Sequence, residues 1–115
     1  MPRKLTVRHE GEPVYDEIGN SGGFVERRRV SLTISGHVQG VFFRREAHRE
    51  AVKLGLTGFV QNRDDGSVYG EAEGSPTAVG GFINWCRRGP EHARVEEAKV
   101  EELEPEGGER FEVRW

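Results

Sequence analysis

Gly36-His37-Val38-Gln39-Gly40-Val41-Phe42-Phe43-Arg44 decides how this chain folds. Just before it, Val30, Leu32 and Ile34 alternate with Ser31, Thr33 and Ser35, the period of a half-buried strand. Just after it, Phe43, Ala47, Ala51 and Leu54 recur at helical spacing and share one face. A glycine-bounded loop thus carries the chain from a strand into a helix. Such a loop turns several backbone N–H groups, with the unpaired donors of the first helical turn, toward one point. The positive end of the helix dipole lies there too, so the point attracts an anion. Arg44 adds a planar, permanently charged fork suited to two phosphoryl oxygens. The stretch alone is equally compatible with a tight strand-to-helix turn that happens to carry an arginine. It is not a Walker A loop, because no Lys-Ser or Lys-Thr follows the second glycine.

Working outward, the first strand is expected at Arg29–Ser35 and the helix at Phe43–Leu54, closed by Gly55 as a left-handed C-cap. A helix this short is marginal in isolation and must be held by packing. Its outer face carries Arg45, Glu46, Arg49, Glu50 and Lys53, with Glu46–Arg49 and Glu50–Lys53 as i,i+3 pairs. Thr57–Arg63 and Ser67–Glu73 read as a hairpin around Asp64-Asp65-Gly66, with Gly66 at a position needing positive φ. Ser75-Pro76 starts a second helix and Gly89-Pro90 ends it. Ala78, Val79, Phe82, Ile83, Trp85 and Cys86 make its apolar face, so Cys86 and Trp85 read as core rather than nucleophile and ligand platform. Ala93–Leu103 is a fourth strand with a fault: Val95 and Leu103 fall on one parity, Ala98 and Val100 on the other. A bulge would reconcile them; alternatively only part of the run is paired. Phe111, Val113 and Trp115 alternate into a last short strand. The order is β-α-β-β-α-β plus an appended strand, which predicts an α+β, ferredoxin-like sandwich: an antiparallel sheet with two helices on one face.

The opening stretch and Gly58-Phe59-Val60-Gln61-Asn62-Arg63-Asp64-Asp65-Gly66 together resemble the acylphosphatase signature: a G-x-V-Q-G-V-x-F-R loop, then a G-x-V-x-N strand and a D-G turn. Both segments agree in residue type and in their separation. The resemblance covers roughly Val30–Trp115 and implies the same ferredoxin-like fold. It also implies metal-independent, cofactor-free hydrolysis of the carboxyl–phosphate bond of acyl phosphates. In that family the matching arginine binds phosphate and the matching asparagine positions water, roles that pass here to Arg44 and Asn62. The phosphate-binding set is then Gly36, His37, Val38, Gln39, Gly40, Val41, Phe42 and Arg44. In some members the terminal carboxylate steadies the motif arginine, which would place the carboxylate of Trp115 beside Arg44. After the asparagine, members often have a small hydroxyl residue or an arginine, here Arg63; the next place, frequently proline in bacterial members, is Asp64, which would put a negative charge near the pocket mouth.

The chemistry suits these residue types. An acyl phosphate leaves behind a stable carboxylate, so little general-acid help is needed. What needs stabilising is charge on the three phosphoryl oxygens, and preorganised donors of the kind this loop provides are worth about 3–4 kcal/mol each. Asn62 has no usable pKa and cannot act as a base; it can orient water, or else simply bond the Asp64-Asp65-Gly66 turn. His9, His37, His48 and His92 match no metal-ligand spacing.

At 115 residues and net charge −3 the chain is one domain, without the charge of a general nucleic-acid or membrane-surface binder. Its single cysteine excludes an internal disulfide, and with no apolar leader it is expected to be cytoplasmic. A monomer acting on a small molecule, with no nucleic-acid or membrane partner, is the expectation. Residues 1–28 are rich in Gly, Glu and Arg and are expected to form a flexible extension, leaving 29–115 as the domain. Arg27-Arg28-Arg29 reads as a solvated strand entrance. Two other readings are a non-catalytic ferredoxin-like anion-binding module and an RNA-binding domain of similar topology. The latter needs exposed aromatics on the central strands, and Ser67–Glu73 offers only Tyr69 amid glutamates.

Overall fold

The computed structural model describes residues 26–115. The expected flexible extension, apart from its last three positions, lies outside the described residues. Seven elements follow one another: β1 (Arg28–His37), α1 (Phe43–Lys53), β2 (Thr57–Asn62), β3 (Val68–Gly74), α2 (Pro76–Arg88), β4 (Arg94–Leu103) and β5 (Phe111–Arg114). The sheet order is β4-β1-β3-β2-β5, with β1/β3, β1/β4 and β2/β3 antiparallel and the appended β5 parallel to β2. α1 packs on β2 and β5, and α2 on β1, β4 and β3. The fold is the expected ferredoxin-like sandwich with an extra edge strand.

The alternations and helical spacings set this arrangement. Val30, Leu32 and Ile34 of β1, Val60 of β2 and Ala72 of β3 meet Phe43, Ala47 and Ala51 of α1 and Val79, Phe82 and Cys86 of α2 in one core. Each large apolar side chain so buried contributes about 1.5–3 kcal/mol. Trp85 packs edge-on against Phe43, ring centroids 5.4 Å apart, and Cys86 is fully buried. Burial, with a smaller push from Glu50, raises the Cys86 thiol pKa well above its ordinary value. Cys86 is therefore core, and Trp85, half-buried, packs against the core, as their face predicts.

The two helices start differently. Ser75 caps α2, its Oγ accepting from the Ala78 amide at 3.2 Å. Phe42 stands at the N-cap of α1 with no side-chain cap hydrogen bond. The parity fault in β4 is real and is a bulge: Ser35 pairs with Glu97 but Gly36 with Val95, so Glu96 is the extra residue. It returns Val95 to the face of Ala98 and Val100. Leu103 stays on the other face, opposite Arg29.

The strand entrance differs from expectation. Glu73 is fully buried and accepts from Arg27 Nε at 2.9 Å, Arg29 Nη1 at 3.0 Å, and the amides of Glu106 at 2.8 Å and Gly107 at 3.1 Å. Arg29, itself buried, also binds Glu71 through Nη2 at 2.6 Å, and Arg28 binds Glu102 at 2.6 Å. Hence the arginine run is an ion-pair lock rather than a solvated entrance. It joins β1, β3 and the loop leading to β5. A carboxylate this well provided with donors outweighs its own desolvation.

Burial by itself would raise the Glu73 pKa, but the Glu106 amide, Arg27, the Gly107 amide and Arg29 hold it down to about 2. Because the folded-state value lies below the unfolded one, its contribution is present above the ordinary carboxylate range and is lost as pH falls toward 2. Denaturant titrations at pH 7, 4.5 and 3 should show stability declining over the two acid points. Glu73→Gln should lose about 1–3 kcal/mol at pH 7, because Arg29 keeps Glu71 while Arg27 and the Glu106 and Gly107 amides lose their carboxylate, and should flatten that acid dependence.

Candidate active site

The cleft lies where the N-terminus of α1 meets the ends of β2 and β5. Val60 and Val113 are partners in the β2/β5 ladder and both belong to the core side. Side chains alternate across a strand, so Asn62 and Trp115, two residues further on, come to the helix-bearing side. α1 packs on these same two strands and brings Arg44, in its first turn, to the same end. Arg44, Asn62, Val38, Gly40, Phe42 and Trp115 line one cavity of ≈ 720 Å³.

The loop above it holds its shape by alternating anchors. Val38 and Val41 are buried. Between them, Gln39 Nε2 donates to the carbonyls of Arg63 at 2.8 Å and Ser67 at 2.9 Å, tying the loop to the turn that follows Asn62. Gly40 has φ 78°, and Phe42 has φ 64° and ψ 24°, the left-handed region. Phe42 is the one non-glycine residue with positive φ among the described residues, a conformation costing roughly 1–2 kcal/mol. Among the described residues, none of the amides from Val38 to Phe42 donates to a carbonyl or a side-chain oxygen. With no capping side chain at α1, this end of the molecule is a concentration of donors without acceptors.

Three arginines border the cleft, and their partners differ. Arg45 Nε binds Glu46 at 3.0 Å and Arg49 Nη1 binds Glu46 at 3.4 Å, while the Arg45 guanidinium also lies 4.3 Å over the Phe42 ring. Arg44 has no carboxylate partner among the described residues. Its Nη1 donates to the Arg114 carbonyl at 2.8 Å, and its guanidinium lies 4.2 Å over the Trp115 ring. A backbone carbonyl and an indole face thus take the place expected for the Trp115 carboxylate. Arg44 is oriented by β5 without its charge being cancelled.

Asn62 makes no side-chain hydrogen bond among the described residues. The turn is held by other groups: Arg63 N to the Ser67 carbonyl at 2.9 Å, and Ser67 N and Oγ to Asp65 Oδ1 at 2.9 and 2.6 Å. Those bonds from Ser67 hold the Asp65 carboxyl below the usual carboxylate range. The carboxamide of Asn62 is therefore not occupied as a turn residue. Asp64 is exposed and does not line the cleft.

Several expected site residues sit elsewhere. Gly36 and His37 belong to β1, paired with Val95 and Arg94, and do not line the cleft. Gly36 has φ 123°, and a Cβ there would run into the Arg94 carbonyl oxygen. The second glycine, Gly40, has open space for a Cβ and is required only by its φ. Gln39 and Val41 are likewise not at the cleft wall, one spent on the β2–β3 turn and the other in the core. Arg45, His48, Arg49 and Val113 line it and were not expected, and Trp115, expected beside Arg44 through its carboxylate, lines it with its ring. The i,i+4 spacings Arg44–His48 and Arg45–Arg49 carried a signal for part of this. So did the shared parity of Phe111, Val113 and Trp115, since Phe111 is buried in the core.

This cleft and fold agree with what the chain is similar to. The family model described as acylphosphatase matches residues 30–113. The chain belongs to the acylphosphatase family. It is 48% identical over 90 residues to an acylphosphatase of Rubrobacter xylanophilus, covering 77% of this chain and 82% of the relative. It is 50% identical over 90 residues to an acylphosphatase of Aeropyrum pernix, covering 76% and 88%. The crystal structure of acylphosphatase from Bacillus subtilis superposes with a TM-score of 0.74 at 36% identity, over 76% of this chain and 99% of that one. An acylphosphatase is a hydrolase, so this chain is an enzyme rather than a passive module. Among the described residues no helix is long and apolar enough to cross a membrane.

The two loop glycines should respond differently to a methyl group. Gly36→Ala should lower the melting temperature sharply by prising β4 from β1, whereas Gly40→Ala should cost only about 1 kcal/mol through its φ. Thermal melts of the two variants side by side check this; equal losses would place the two glycines under one constraint.

Proposed function

We propose that this chain hydrolyses acyl phosphates by holding the phosphoryl group with Arg44 and the unspent amides of the loop, while Asn62 orients the attacking water. The observation that carries the reading is that Arg44, without a carboxylate partner among the described residues, and Asn62, without a turn to bond, line the same cleft beneath the same loop. Within the expected loop set, Val38, Gly40 and Phe42 border the cleft. Gly36, His37, Gln39 and Val41 contribute by shaping the loop.

In the reaction, water attacks phosphorus from the side opposite the acyl oxygen. The bond between phosphorus and that oxygen breaks, and the electron pair leaves with the carboxylate. Asn62 accepts a hydrogen bond from the water through its carbonyl and fixes its direction. The proton passes to a phosphoryl oxygen, since no group of adequate basicity is needed when the leaving group is a carboxylate. Charge on the three phosphoryl oxygens is met by the guanidinium and amides, whose positions do not change during the step. Holding the reactants in this geometry adds its own large factor. A monomeric state, absence of nucleic-acid partners and residence in the cytoplasm form part of the same proposal. The buried thiol fits a reducing compartment.

Hydrolysis of acetyl phosphate in the presence of a metal chelator tests the proposal. Wild-type enzyme should turn over. Arg44→Ala should raise KM and lower kcat, and Asn62→Ala should lower kcat at nearly unchanged phosphate affinity. A loss in kcat/KM of about 10²–10³-fold is expected for each variant. Phosphate binding without hydrolysis by the wild type would favour the anion-binding module instead.

A further inference from the structure

β4 stands at one edge of the sheet: β1 takes one of its sides, and among the described residues no strand takes the other. It is 10 residues long, and a bare edge of that length is a template for pairing with further chain. Its side chains carry a pattern. Glu97, Lys99 and Glu101 are exposed and stand opposite Ser35, Thr33 and Ser31, on the side of the sheet away from the helices. Ala98 and Val100 stand opposite Ile34 and Leu32, on the core side, yet are only partly buried. Beside Val100 a groove of ≈ 730 Å³ opens toward α2, lined also by Gly80, Gly81 and Ile83. A Cβ on Gly80 would meet nothing within 4 Å. The edge therefore offers a row of alternating charge on one face and an unfinished apolar row on the other.

Charges on an edge strand commonly serve to repel other strands. That use accounts for the glutamates, but not for the order of signs or for the uncovered apolar row. One segment of this same chain has the complementary pattern. Residues 3–9, which lie outside the described residues, read Arg3-Lys4-Leu5-Thr6-Val7-Arg8-His9. Lys4, Thr6 and Arg8 alternate with Leu5 and Val7, the period of a strand with one basic and one apolar face. Laid antiparallel with Leu5 opposite Val100, the segment sets Lys4 against Glu101, Thr6 against Lys99 and Arg8 against Glu97. Val7 then falls against Ala98, and Leu5 reaches the groove. Opposite charges facing each other across an antiparallel pair stabilise it, and like charges do the reverse. A slip of one residue would put Leu5 and Val7 among the charges, and a slip of two would set Lys4 or Arg8 against Lys99. Only one antiparallel register satisfies both rows.

We propose that the outer edge of β4 is a strand-docking site and that residues 3–9 of the same molecule occupy it, antiparallel, as a sixth strand. The tether suffices. An extended residue spans about 3.3–3.6 Å, and residues 10–27 outnumber the 10 residues of β1 past which they must return to Arg28. Docking covers Val100 and the groove beside it, and it removes the edge most open to association with other chains.

Amide hydrogen exchange on the full chain at low salt tests this. Alternate amides of residues 4–8 should exchange about tenfold or more slowly than in a synthetic peptide of residues 1–12. The protection should fall as salt is added. Lys4→Glu should abolish it. Glu101→Lys in the same chain should restore it, and Glu97→Lys should not. The central amides of β1 should exchange alike in all these proteins, which separates loss of docking from loss of fold. Unprotected amides in the wild type, indifference to Lys4→Glu, or rescue by Glu97→Lys would each overturn the proposal. So would protection that rises with protein concentration together with a dimer in sedimentation, since the occupant would then be a second copy's segment.

Discussion

A run of backbone amides with no acceptor among the described residues is the constraint on which the rest of this molecule depends. Leaving such groups unsatisfied is expensive unless they face solvent or a ligand, and a loop of this kind would relax if its ends and middle were not held. Here it is held at each residue from Val38 to Phe42. Val38 and Val41 sit in the core, Gln39 bonds the β2–β3 turn, and Gly40 and Phe42 take the left-handed conformation. The absent side-chain cap at α1 belongs to the same economy, because a capping oxygen would occupy a donor that the site leaves open.

The second determinant is β5. A minimal βαββαβ sandwich would end at β4, but the appended strand lies parallel to β2 and packs under α1. It supplies the Arg114 carbonyl and the Trp115 ring that orient Arg44, and it runs beside the strand that ends in Asn62. The guanidinium and the carboxamide are thus referred to neighbouring strands of one sheet. Gln39 closes the frame by joining the loop to the turn beyond Asn62. A rigid frame of this sort is what electrostatic stabilisation of a phosphoryl group demands, since donors that had to reorganise would lose most of their value. At the other end of β3, Glu73 collects two arginines and two amides and fixes the loop from which β5 starts.

The open face of the sheet gives a more aromatic picture than the third strand suggested. Phe59 of β2 and Tyr69 of β3 lie 6.0 Å apart, with Arg114 and Arg63 over their respective rings. Tyr69 also donates to Glu71 at 2.7 Å, and the Glu71 carboxylate is held by Arg29. Burial first, then the hydrogen bond to Glu71, raises the Tyr69 hydroxyl above its ordinary pKa. These rings are engaged within the sheet by intramolecular cation–π and hydrogen-bond partners.

Local pattern was enough for the element order, the faces of both helices and the Asp64-Asp65-Gly66 turn, it left a bulge as one of two readings of β4, and the resemblance to the acylphosphatase signature put Arg44 and Asn62 forward as a candidate site. Each depends on spacing along the chain or on a short motif, and alternation or helical periodicity reports such features directly. The burial of Arg29, the role of Gln39, the strand membership of Gly36 and His37, and the seating of the Trp115 ring and the Arg114 carbonyl on Arg44 came only from the folded molecule. Each joins groups far apart in the chain, and no period relates Arg44 to Arg114 or Arg29 to Glu73. The chain's own chemistry says which side chains can serve an anion; which carboxylate cancels which arginine, and which ring is left bare beside the cleft, is decided when strands from opposite ends of the domain are laid side by side.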